Sequence, residues 1–315
     1  DLLHPTITEV DLVADTIVSF SASEGMFNNA FGTGAVDIAD FNLDLYSNNG
    51  NASSAQIVNL SNTSQGALTG GETTVLIGFV TDLLPSGSEE IELRPASNNA
   101  IYDPAGNPMP QTMISARVTL PDRLPPEIIA ASASISNDNA YVIFTLTEGV
   151  YGVSETTTPV EPDDFAVEFI QNGGNADMAT VDYITNSIQF PVVGGEDILR
   201  CYLTIQGTPS GHERIYIRAK DNNSVFDISG NGLQVSYPTD TLQLFDQLVP
   251  TVDSVSIAHG SAISSSIASP INITFSEPIL SFGYSVSARH YNYLSYITDT
   301  TATGFKITLQ PPMAS

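Results

Sequence analysis

Residues 97–108 read SNNAIYDPAGNP, and residues 221–232 read DNNSVFDISGNG. Corresponding residues stand 124 apart: Asn98 and Asn222, Asp103 and Asp227, Gly106 and Gly230, Asn107 and Asn231. The same offset relates Arg94 to Arg218. Far upstream it relates Phe20 to Phe144, Glu24 to Glu148, Gly25 to Gly149, Asp40 to Asp164 and Phe41 to Phe165. A register held at two distant anchors without net insertion marks a tandem repeat. Locally, each phrase reads as a turn. Its aspartate can accept from backbone amides, and its glycine can take a positive φ.

Around these anchors the apolar pattern alternates. TITEVDL, TIVSFSA, FNLDL, TVLIGFV, EIELR and ISARVTL are short and β-like, separated by Asn, Gly, Ser, Asp and Pro clusters. No segment sustains helical spacing. The fold class is therefore all-β, and evenly spaced short strands point to sandwiches. Alternation places Phe20, Phe41, Leu76, Phe144, Phe165 and Tyr202 in the cores.

The repeat divides the chain into 1–121, 122–248 and a partial third unit, 249–315. Proline-bearing TLPDRLPPE (119–127) and FDQLVPTVD (245–253) are the linkers. The third unit repeats a strand with Phe275 and Glu277 in INITFSEP. It has no counterpart of the Asp-x-x-Gly-Asn phrase before Ser315. An open sandwich exposes strand edges. The expectation is a segment of a longer array, or a subunit completed by a neighbour's strand.

With 35 acidic and 9 basic residues the chain carries −26. That balance disfavours nucleic acid and an anionic membrane surface as partners. No apolar run reaches membrane-spanning length, so direct membrane insertion is not expected. Lone Cys201 lies in an alternating strand and reads as a core residue.

INITFSEP, the F-x-x-[ST]-E-G variant of the first two units, and [YF]-D-x-x-G-N resemble tandem bacterial Ig-like domains of S-layer proteins, adhesins and other large surface proteins. The resemblance spans nearly the whole chain. It implies Ig-like β-sandwiches, the third incomplete. The implied role is an extracellular, cell-surface spacer, stalk or adhesive module without catalytic activity. Expected partners are other copies of the chain or surface and host macromolecules. Two alternatives stand beside this: a self-assembling filament or S-layer subunit completed by strand exchange, and an accessory region of a large secreted enzyme.

No residue pattern argues for an enzyme. His4, His212, His259 and His290 are scattered, and there is no G-x-S-x-G elbow or phosphate-binding glycine loop. The absence of Trp weakens a carbohydrate platform, although 12 Tyr keep it open.

In an Ig-like topology the second-to-third and sixth-to-seventh loops share one pole. That pole would gather Glu24, Asp40 and Asp103 in the first unit. In the second it would gather Glu148, Asp164 and Asp227 against the linker, where Asp122 and Glu127 add carboxylates. Clustered carboxylates repel unless protonated, hydrated or bridged by a cation. Calcium at the first joint is the metal expectation, since a hard cation takes six to eight oxygens.

Overall fold

The computed structural model describes residues 2–256, 271–276, 294–301 and 304–310. Glu277 lies outside them. The described chain is nearly all β, built of antiparallel sheets, with single 3-10 turns as its helical elements. By compactness it forms two units: residues 1–170 with 178–205 and 214–242, and residues 171–177 with 206–213 and 243–315.

In the first unit, residues 7–119 supply β1 (Ile7–Ala14), β2 (Ile17–Met26), β3 (Phe41–Tyr46), β4 (Ala55–Ser61), β5 (Glu72–Thr81), β6 (Glu90–Pro95) and β7 (Val118–Thr119). They form sheets in the orders β1-β2-β5-β4 and β3-β6-β7. The next repeat supplies β8 (Ser134–Ile135), β9 (Tyr141–Val150), β10 (Phe165–Ile170), β11 (Met178–Asn186), β12 (Glu196–Gln206), β13 (Arg214–Ala219) and β14 (Leu242–Gln243). Their orders, β11-β12-β9-β8 and β10-β13-β14, repeat the first arrangement.

Alternation explains how the sheets meet. Val18 and Phe20 of β2, Val75, Ile77 and Phe79 of β5, and Ile91 and Leu93 of β6 are buried in one cluster. Phe20 meets Phe41 edge-on across the two sheets, ring centroids 5.2 Å apart. Phe144 and Phe165 repeat that contact at 6.0 Å. Burial of such side chains stabilises by about 1.5–3 kcal/mol each.

Two expected core residues point the other way. Leu76 and Tyr202 are only half-buried, while Val75 and Ile77 are buried beside Leu76, and Cys201 beside Tyr202. Side-chain direction has a period of two, so a one-residue error of phase exchanges the faces. Tyr202 instead stacks on Tyr183 at 4.0 Å on the outer face. Cys201 is a buried core residue, and burial pushes its thiol well above the usual range.

The Glu-Gly pair that ends β2 and β9 has a steric reason. A Cβ on Gly25 would stand 2.6 Å from the Gly71 carbonyl oxygen, and one on Gly149 would collide with the Gly195 carbonyl. Only glycine allows the two backbones to approach so closely.

The second unit contains β15 (Val252–Val255), β16 (Ile271–Phe275), β17 (Leu294–Thr301) and β18 (Gly304–Gln310), a sheet in the order β15-β16-β18-β17. Its other part is a loop cluster around Glu213. The Glu213 carboxylate is fully buried and accepts from the backbone N–H groups of Ala176 (2.8 Å), Ser210 (2.9 Å) and His212 (3.2 Å). Burial raises its pKa, but these amides outweigh burial and hold it down at about 2. Glu89, one period earlier in the first unit, is equally buried and accepts from Ala52 N–H (2.7 Å) and Ser86 N–H (2.8 Å).

Candidate functional site

The aspartate of the repeated phrase closes its own loop. Asp227 accepts from the Asn231 backbone N–H and from its side-chain amide, each at 2.8 Å. Gly230, at φ +88°, donates its N–H to the Asp227 carbonyl. Asp103, Gly106 and Asn107 build the same loop, with bonds of 2.8 and 2.7 Å and φ +86° at the glycine. Both aspartates are fully buried. Burial alone would raise the Asp103 carboxyl, and the Asn107 donors outweigh it to leave it below the ordinary range. The repetition of the phrase is thus, first, the repetition of a hydrogen-bonded turn.

At the second copy something is added. Asp122, Glu148 and Asp227 bring carboxylate oxygens within 4.8 Å of one another. Three separate segments deliver them: the linker after β7, the end of β9, and the loop after β13. Asp122 is fixed on several sides. Its carboxylate accepts from Leu124 N–H (3.0 Å) and the Ser229 hydroxyl (3.4 Å), and its carbonyl accepts from the Asn231 side-chain amide (3.3 Å). Among the described residues no hydrogen-bond donor serves the Glu148 carboxylate. Burial, then the charges of Asp227 and Asp122, push its pKa up to about 7. Burial and the Asp227 charge raise Asp122 as well. Beside the cluster lies an open cleft of about 400 Å³ lined by Asn51, Ser86, Asp122, Glu127, Thr147 and Glu148, among others.

Of the five acids expected at this joint, three converge and a fourth, Glu127, lines the adjoining cleft. Asp164 is not among the converging acids. It accepts from Glu161 N–H at 2.7 Å and caps the 3-10 turn Pro162–Asp164. Asp40 caps its own turn in the same way, accepting from Asp37 N–H at 2.8 Å. Glu24, Asp40 and Asp103 form no comparable three-acid group among the described residues.

Sequence reasoning missed Glu89 and Glu213. Their signal was present in GSEEIELR (87–94) and GHERIYIR (211–218), where glutamate recurs at the common offset. Ser229 and Asn231 as partners of Asp122 carried no such signal, because each pair is more than 100 residues apart in the chain.

No helix among the described residues is long and apolar enough to cross a membrane. No protein-family model matches the chain, and none of the curated proteins matches it. Among solved structures it is weakly similar to the S-layer protein rSbsC(31-844), at 9% identity and a TM-score of 0.26, over 98% of this chain and 51% of that one. The chain therefore spans about half the length of that protein.

Proposed function

We propose that the chain is a non-catalytic structural region of an extracellular or cell-surface protein, a spacer or stalk of tandem Ig-like sandwiches. The sheet orders support the Ig-like reading. With strands lettered A to G, β1-β2-β5-β4 and β3-β6-β7 become ABED and CFG, the arrangement of constant-type immunoglobulin domains. β8 to β14 follow the same order. In this reading the domains are residues 1–121, 122–248 and the partial 249–315.

The observation that carries a mechanical role is the first joint. Asp122 is tied backward by pairing with Ser86 and forward by Ser229 and Asn231, and the Arg123 N–H donates to the Pro85 carbonyl. A linker so bonded on both sides transmits orientation instead of swivelling. The half-joint recurs in the second unit, where Gln247 N–H donates to the Pro209 carbonyl and Leu248 N–H to the Asp246 carboxylate.

Calcium belongs to the same proposal. A divalent ion at Asp122, Glu148 and Asp227 would replace mutual repulsion by shared coordination, and would stiffen the joint further.

Distance measurement between spin labels tests the mechanical reading. With Val58→Cys and Ile188→Cys on exposed positions, native Cys201 stays buried and unlabelled. One narrow distance distribution is expected. A broad distribution in the parent chain would remove the basis for a stiff spacer.

A further inference from the structure

Asparagine precedes glycine three times in the chain, at 49–50, 172–173 and 231–232. Such a pair is the most prone to lose ammonia spontaneously. The glycine backbone nitrogen attacks the asparagine side-chain carbonyl carbon, and without a Cβ the glycine does not hinder the approach. The attack needs a nitrogen free to give up its proton, a side chain free to swing onto it, and room for the backbone to turn. The three pairs meet these conditions unequally.

The first two pairs lie in the same turn, out of register by one residue. Gly50 N–H donates to the Ser47 carbonyl at 2.6 Å, and one period later Gly174 N–H donates to the Gln171 carbonyl at 2.8 Å. The central residues have φ of +49° and +67° at Asn48 and Asn49, and of +47° and +79° at Asn172 and Gly173. Positive φ at both central positions marks a type I′ turn. In the first repeat the pair takes the third and fourth positions, so its glycine N–H is the one that closes the turn. In the second repeat the pair takes the two central positions. Gly173 N–H has no part in closing the turn and finds no acceptor among the described residues.

The surroundings differ in the same sense. A Cβ on Gly50 would collide with the Glu89 carboxyl, and a negative charge there opposes loss of a proton from the glycine nitrogen. On Gly173 a Cβ would meet nothing within 4 Å, and Asn172 and Gly173 are both exposed. The Asn172 amide has a single tie, to the His212 carbonyl at 3.0 Å. The third pair is locked. Asp227 and the Asp122 carbonyl hold the Asn231 amide, and a Cβ on Gly232 would collide with the Asn222 carbonyl oxygen.

Independently of the mechanical role, we infer that Asn172 is the site at which the folded chain deamidates. The Gly173 nitrogen gives its proton to solvent and bonds to Asn172 Cγ. The Cγ–Nδ2 bond breaks, and Nδ2 takes up a proton and leaves as ammonia. Water then opens the succinimide at either carbonyl, giving aspartate or isoaspartate with one added negative charge. Either product lacks the N–H that reaches the His212 carbonyl, beside the buried Glu213.

Peptide mapping by mass spectrometry of the full chain aged at pH 8 and 37 °C tests this, with isoaspartyl methyltransferase labelling to identify the product and a sample aged in urea as the control. In the folded chain residue 172 should convert at least tenfold faster than residues 49 and 231, and in urea the three rates should converge. Two variants exchange the registers. Gly173→Asn gives the second repeat the order of the first and should slow conversion at 172 and 173 at least tenfold. Asn49→Gly gives the first repeat the order of the second and should raise conversion at Asn48 above that of the parent. Comparable rates at 49 and 172 in the folded chain, a preference for 172 that persists in urea, or rates unmoved by the variants overturn the inference.

Discussion

The Asn231 side-chain amide donates both to the Asp227 carboxylate, at 2.8 Å, and to the backbone carbonyl of Asp122, at 3.3 Å. One residue thus closes the turn of its own repeat and clasps the linker that enters it. Asn231→Asp keeps the shape but cannot donate, and it adds a negative charge beside three carboxylates. Loss of these bonds should cost about 1–3 kcal/mol. Chemical unfolding should show a lowered midpoint, and the spin-label distances should broaden. An unchanged midpoint would mean that the clasp is dispensable.

Glu148 sets a pH dependence. Its folded pKa, about 7, lies above the ordinary 4.5, so the folded protein holds this proton more tightly than the unfolded chain. Its contribution to stability is complete below about pH 4.5 and is lost as pH rises through 7. Without divalent ions, Glu148→Gln should melt higher than the parent at pH 7.5, by about 2–4 °C if the repulsion amounts to about 1 kcal/mol. At pH 4.5 the difference should close. Melting curves at both values in chelator decide it.

Calcium should act in the opposite sense to that repulsion. An ion bound only by the folded form stabilises by mass action, about 2.7 kcal/mol at a hundredfold excess over Kd. Calcium should therefore raise the melting temperature of the parent, and Asp227→Asn and Glu148→Gln should blunt the rise. Identical curves in calcium and chelator would leave Asp122, Glu148 and Asp227 as turn and surface groups.

The buried Glu213 carboxylate should matter most near neutral pH. Its depressed pKa, about 2, means that its contribution is present above about pH 4.5 and is lost as pH falls through 2. Glu213→Gln turns an amide N–H₂ toward backbone donors and should cost about 1–3 kcal/mol at pH 7. The gap from the parent should narrow toward pH 2, as acid unfolding will show. Gly174→Ala is the steric counterpart, since its Cβ would collide with the Glu213 carboxyl.

Gly149→Ala tests the glycine of the Glu-Gly pair. The new methyl would collide with the Gly195 backbone carbonyl, where no side chain can move aside. A loss of more than about 1 kcal/mol is expected in chemical unfolding, and an unchanged midpoint would mean that the backbones can move apart freely.

The sequence alone determined the β class, the 124-residue period and the turn chemistry of the repeated phrase. Those properties reside in local alternation and in residues that bond within five positions, such as Asp227 with Asn231. Burial of Phe20, Phe41, Phe144 and Phe165 was legible for the same reason. Strand phase was less so: in apolar runs such as TVLIGFV and RCYLTIQ both parities look hydrophobic, and only packing placed Val75 and Cys201 inward and Leu76 and Tyr202 outward. Tertiary structure also decided which acids meet. Asp164 and Glu148 look equivalent in the chain, yet Asp164 is claimed by a neighbouring backbone amide three residues away, while Glu148 has no donor among the described residues and faces Asp122 and Asp227.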